Sequence, residues 1–118
     1  GYFRGTVFTS PSLLRGMGQW LMDLIINPEF ANDLMGKFCD YYTKLYCKAL
    51  DVAGKYISFL RVDMDDFGTQ NGPLISPQLF RDMVKPHLQK FYDALRAKFR
   101  EVNPECRLMK HTWMTTLN

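Results

Sequence analysis

Three carboxylates in four residues, Asp63, Asp65 and Asp66, are followed by Gly68, Gln70, Asn71 and Gly72, and the run closes on Ser76-Pro77. Crowded carboxylates raise one another's pKa, and one partly withdrawn from water can hold or exchange a proton near neutrality. Glycine permits positive φ and close backbone approach, so a ligand held by Gln70 and neighbouring amides fits the pattern. The chemistry implied is substrate orientation or proton handling by an acidic loop. A purely structural reading competes with it: aspartates before glycine often bond backbone amides of a turn, and the glycines then serve only a tight connection.

The elements around this stretch must position it. Tyr56 to Val62 is an apolar run that reads as a buried strand, and Ser76-Pro77 opens a helix whose Phe80, Val84, Leu88, Phe91 and Leu95 mark a core face. Pro86 interrupts that helix, with a kink expected near Lys85 and a second piece running to about Arg100. Asn103-Pro104 ends it and Cys106 to His111 is the next strand, giving a βαβ unit with parallel strands. The acidic loop then leaves the carboxyl end of a strand, where ligands bind in α/β proteins.

Further upstream, Tyr2 to Thr9 suits a short extended segment, and a helix is expected from Ser10-Pro11 to about Ile26, weakened at Gly16 and Gly18. Asn27-Pro28 starts a second, amphipathic helix that runs to about Ala53 and is closed by Gly54. Phe30, Leu34, Phe38, Tyr41, Leu45 and Ala49 share its expected packing face.

Fifteen basic and twelve acidic residues interleave to a net charge of +3, which leaves no footprint for nucleic acid and mildly suits an anionic substrate. Three cysteines make no disulfide framework, since Cys39 and Cys47 lie about 12 Å apart along one helix. Reduced thiols, no apolar run near 18 residues and no leader pattern point to a cytoplasmic protein without a membrane span.

Asp65 to Pro77, with Phe80-Arg81 and Val84-Lys85-Pro86, resembles the motif of the uroporphyrinogen decarboxylase superfamily. Leu14-Arg15-Gly16-Met17, Trp20 to Leu24 and Asn27 to Phe30 resemble the segment such proteins place before it, so that the likeness covers roughly Leu13 to His111. It implies a (β/α)8 TIM barrel, of which residues 1–118 would form a single partial domain, because a closed barrel typically needs about 250 residues. With no initiator methionine at Gly1, the chain reads as a segment of a longer protein.

The resemblance implies decarboxylation of a tetrapyrrole, a chemistry that needs no cofactor, or, in the alternative, corrinoid-linked methyl transfer with zinc activating a thiol. Under it, Asp65 and Asp66 are read as catalytic and Gln70, Gly68 and Arg15 as substrate-binding, while Asp63 is read as structural. Arg15 has a competing role as an ion pair with an acidic residue such as Asp23 or Asp66. In the methyltransferase branch the second strand ends in a His-x-Cys zinc pair. Here His111 is followed by Thr112 and Trp113, and an indole cannot ligate zinc, which leaves His111 as a vestigial ligand. The partner expected is a small molecule. A non-catalytic reading stands beside the enzymatic one, in which an incomplete barrel with open strand edges is inactive alone and self-associates.

Overall fold

The computed structural model describes residues 7–57, 59–105 and 107–113. Helices dominate: α1 (Thr9–Arg15), α2 (Met17–Ile26), the long α3 (Pro28–Ala53), the single turn α4 (Pro77–Leu79) and α5 (Lys85–Val102). The strands are β1 (Phe59–Asp66), the two-residue β2 (Gly68–Thr69) and β3 (Gly72–Pro73), and β4 (Arg107–Trp113). β1 pairs with β4 in parallel, with Phe59 opposite Arg107 and Asp63 opposite His111, and α4 and α5 make the crossover between them. β2 and β3 form a minimal antiparallel hairpin.

This corrects the expected fold class. The protein is a mostly helical small domain and not part of a TIM barrel. A barrel arc needs successive parallel strands, each hydrogen-bonded on both sides. Among the described residues both sheets stop at two strands, and β1 and β4 pair only with each other. The expected extended segment at Tyr2–Thr9 is also not seen where it is described: Val7 and Phe8 form a turn, and Thr9 already belongs to α1. Its first five residues lie outside the described ones.

Local chemistry explains the boundaries. Gly16 takes φ 82° and ψ 140°, a conformation costly to any residue with a Cβ, so the helix expected from Ser10 to Ile26 is broken into α1 and α2. Asn27 Oδ1 accepts from the Phe30 amide and Pro28 fills a first-turn position, which starts α3 at the predicted residue. Ser76 Oγ accepts from the Leu79 amide at 3.1 Å and starts α4. Between α4 and α5, residues Phe80–Val84 widen into a π-helical turn in which the Lys85 amide reaches back to the Phe80 carbonyl. That widening accommodates Pro86, whose ring would crowd the carbonyl one turn earlier.

α3 lies on α5, and the two carry much of the core. Val84, Leu88, Phe91, Tyr92, Leu95 and Phe99 are buried on one side, and Ala31, Met35, Cys39, Tyr46 and Leu50 on the other. The α5 face is the predicted one, extended by Tyr92 and Phe99. The α3 face is turned by about one residue from the prediction: Phe30 and Tyr41 are exposed, and Leu34 and Phe38 are only half-buried. Small and flexible residues let the helices approach closely, as the Cys39 thiol donating to the His87 carbonyl at 3.3 Å shows. Among the described residues, no helix is long and apolar enough to cross a membrane.

The end of α3 is locked to the end of α5. Asn103 Nδ2 donates to the carbonyls of Gly54 and Ile57 at 3.1 and 2.9 Å, and Gly54 faces Val102 so closely that a Cβ there would stand 2.8 Å from its Cγ2. Gly54 has φ −57°, so its value lies in space and not in backbone freedom. Gly54→Ala is therefore expected to destabilise the fold by about 1–3 kcal/mol through overpacking. Adding Val102→Ala should recover about 1 kcal/mol relative to the sum of the two single changes, read from urea midpoints in a double-mutant cycle. Strict additivity would show that the two groups do not meet.

Candidate functional site

The acidic stretch begins as β1 and ends as the hairpin. Asp65, although a carboxylic acid, has no exposed surface at all. Its Oδ1 accepts from the backbone amides of Phe8 at 3.0 Å and Thr9 at 2.7 Å, donors 57 and 56 residues earlier in the chain. Those amides open α1, whose first N–H groups have no partner inside the helix, and Phe8 at its cap offers no side-chain oxygen. A carboxyl group at this end also suits the helix dipole.

Around Asp65 the surroundings are aromatic. Phe67, two residues on and fully buried, lies 4.7 Å from Phe8 and 5.1 Å, edge-on, from Phe80, measured between ring centres. Trp20 meets Phe8 edge-on at 6.0 Å, and its buried Nε1 has no hydrogen-bond partner among the described residues. Burial, and after it the charge of Asp65, pushes the Tyr92 phenol well above its ordinary range. Tyr92 thus serves as a neutral, packed ring. The sequence reading gave Trp20 no role beyond the resemblance and missed Tyr92, although Tyr92 follows Leu88 by four residues on the recognised face of α5.

Beyond Phe67 the chain turns outward. The Leu74 amide donates to the Phe67 carbonyl at 2.8 Å and closes the base of the hairpin. Thr69 Oγ1 donates to the Gly72 carbonyl and accepts from the Asn71 amide, and Gly72 takes φ 128°. Gln70 and Asn71 stand exposed at the tip, and Gly68 is half-buried at the base. The glycines are therefore explained by a tight connection, while Gln70 is free to meet a solute.

Arg15 follows its structural alternative. Its Nε and Nη2 donate to Asp23 at 2.8 and 3.2 Å, Gln19 adds a third bond to the same carboxylate at 2.9 Å, and the guanidinium lies over the Phe30 ring at 5.1 Å. Fork-to-fork pairing of this kind fixes geometry as well as charge. It ties α1, α2 and α3 together and leaves Arg15 away from the acidic stretch. The hydrogen bond to Arg15 first, and that to Gln19 next, hold the Asp23 carboxyl below its ordinary range.

Asp63 and His111 are neighbours in the parallel register, and Asp66 closes β1 opposite Trp113. The side chains of these four residues lie outside the described ones. Among the described residues, no group of three or more His, Cys, Asp or Glu is placed to hold a metal ion. Cys39 and Cys47 are free thiols, both pushed up by burial, and Cys106 lies outside the described residues.

His87 is half-buried, with its Nε2 2.8 Å from Asn32 Oδ1. Burial first, and Lys90 second, push its pKa below the ordinary 6.5.

Two outcomes follow from these contacts. Asp65→Ala, which orphans two amides, should cost about 2–5 kcal/mol, whereas Asp65→Asn keeps an acceptor oxygen and should cost less than half as much. Equal stability of Asp65→Ala and the parent in urea would sink the structural role. The pH dependence should show two stages. The unfolded chain protonates His87 near pH 6.5 while the fold resists, so stability declines as pH falls from there through the lower native value. The contribution of Asp23 is complete above its ordinary 3.8 and is lost as pH falls through its depressed native value. Urea midpoints from pH 8 to 2 should lose the first stage in His87→Gln and the second in Asp23→Asn.

Searches with the sequence and the structure found no matching protein-family model, no matching curated protein and no matching solved structure.

Proposed function

We propose that the chain carries a substrate-handling loop for the chemistry of the uroporphyrinogen decarboxylase superfamily, the removal of acetate carboxyls from a tetrapyrrole. The observation that supports it is the location of the Asp65–Pro77 motif. It leaves the carboxyl end of β1, beside a parallel partner strand that brings His111 into register with Asp63. In this reading Asp65 is occupied by the Phe8 and Thr9 amides, and the proton-handling role falls to Asp66. Gln70, exposed at the hairpin tip, contributes hydrogen bonds to an anionic substrate. Decarboxylation breaks one C–C bond, releases carbon dioxide and forms one C–H bond, and a positioned acid supplies that proton.

Methyl transfer is the second reading, favoured by the length of the Asp65–Pro77 motif. It would need a zinc ion held by thiolate and imidazole. The donor set does not fit, because Trp113 stands where the cysteine after His111 would be required, and no step is drawn through a metal.

The test is a titration of the purified chain with uroporphyrin, the stable oxidised form of the tetrapyrrole, followed by its fluorescence. Saturable binding is expected, weakened about tenfold or more by Asp66→Asn, by a smaller factor by Gln70→Ala, and unaffected by Arg15→Lys. Binding that ignores Asp66→Asn would overturn the assignment. Stoichiometric zinc, lost in His111→Ala, would instead bring methyl transfer forward.

A further inference from the structure

The outer face of α1 and α2 is apolar and open. Leu13 is 80% exposed, Leu14 68%, Ile25 75% and Ile26 70%, with Met22 at 52% and Met17 at 41%. On α2 this has a simple geometric cause. At 100° per residue, Met22, Ile25 and Ile26 fall within one arc, opposite the buried Trp20, Asp23 and Leu24. Leu13, Leu14 and Met17 flank the Gly16 break that joins the two helices, so the six residues sit within fourteen positions of continuous chain. Beside Leu14 an apolar groove of about 280 Å³, lined by Leu34, Phe38, Tyr41 and the stem of Lys37, carries the surface on to α3.

Together the six expose on the order of 700 Å², above the roughly 300–600 Å² of the largest apolar patch on a typical monomer. The same area is close to the ~800 Å² that each partner contributes to a standard-size interface. Its charge narrows the choice of partner. Within residues 13–26 the charged side chains are Arg15 and Asp23, which neutralise each other. At the groove Lys37 is paired with Asp33, so the described part of the face carries no net positive charge to attract nucleic acid or an anionic bilayer. An uncharged apolar face meets a copy of itself without like-charge repulsion, the condition for a twofold interface.

We infer that a second copy of this chain covers the α1–α2 face, forming a twofold dimer in which Leu13 of each protomer seats in the groove beside Leu14 of the other. This surface is separate from the acidic strand end and its hairpin.

Sedimentation equilibrium of the full 118-residue chain from about 1 to 100 μM tests it. The expected species has twice the monomer mass of 13.8 kDa. Leu13→Asp with Ile25→Asp, both at exposed positions, should weaken the dimer at least about 100-fold while the far-ultraviolet circular dichroism stays unchanged. Val52→Asp and Tyr56→Asp, equally exposed apolar positions outside the face, should leave the dimer intact. A monomer at 100 μM overturns the proposal, as do oligomers indifferent to the Leu13 and Ile25 changes. Uptake of the monomer by neutral phosphatidylcholine vesicles, abolished by the same two changes, would assign the face to a lipid surface and also overturn it.

Discussion

One buried carboxyl group holds two distant parts of the chain together. Asp65, at the end of β1, accepts from the amides that open α1, where Phe8 caps the helix without a side-chain oxygen. α1 has seven residues, too few to persist through helix propensity alone, so its survival depends on tertiary contacts. Phe8 packs on Phe67 and Trp20, and Arg15 at the other end grips Asp23. The helix is thus held at both ends by charged groups and along its start by aromatic rings. A buried carboxyl group with fewer donors would be a liability, because its desolvation would not be offset.

The second pillar is α3 against α5, and it shows what a single sequence reveals. The bounds of α3 were legible because Asn27-Pro28 and Gly54 are specific signals at its ends. The core face of α5 was legible because its large apolar residues recur at helical spacing with charged residues between them. The core face of α3 was not. Phe30, Leu34, Phe38 and Tyr41 make the louder apolar stripe, yet Ala31, Met35 and Cys39 pack inside. The reason is distance: helices that approach closely select small and adaptable side chains, which carry a weak signal in a hydropathy pattern. The louder stripe instead borders the groove beside Leu14. The barrel expectation failed at a different level. Parallel pairing of two strands across a helix was readable from order and length, but how many further strands join them is not a local property.

In the acidic stretch the residue types were informative and their division of labour was not. Asp65 carried the same sequence signal as Asp66, and it does bond backbone amides, as the structural alternative required. The amides belong to the start of α1, however, and not to the local turn. No spacing rule could find a partner 57 residues away. Arg15 was better placed for sequence reasoning, since Asp23 lies eight residues on and was named among its candidate partners. The Gly16 break lets the two side chains meet by turning α2 against α1.

The hold on Asp65 constrains any chemistry at this end of β1. Side chains alternate along a strand, so a slip of one residue would put Met64 or Asp66 where Asp65 now meets the two amides. A slip that brings up Met64 leaves the amides without an oxygen acceptor, whereas one that brings up Asp66 would offer them a carboxylate again. The grip therefore opposes a slip of β1 in one direction, and the bond from the Leu74 amide to the Phe67 carbonyl closes the base of the hairpin that follows. In the proposed reading Asp65 is structural and its neighbour Asp66 carries the chemistry. The buried residue sets the position to within a hydrogen bond's tolerance, and its neighbour need not be rigid by itself. The cost is that the two are not interchangeable, although the sequence writes them as the same residue twice.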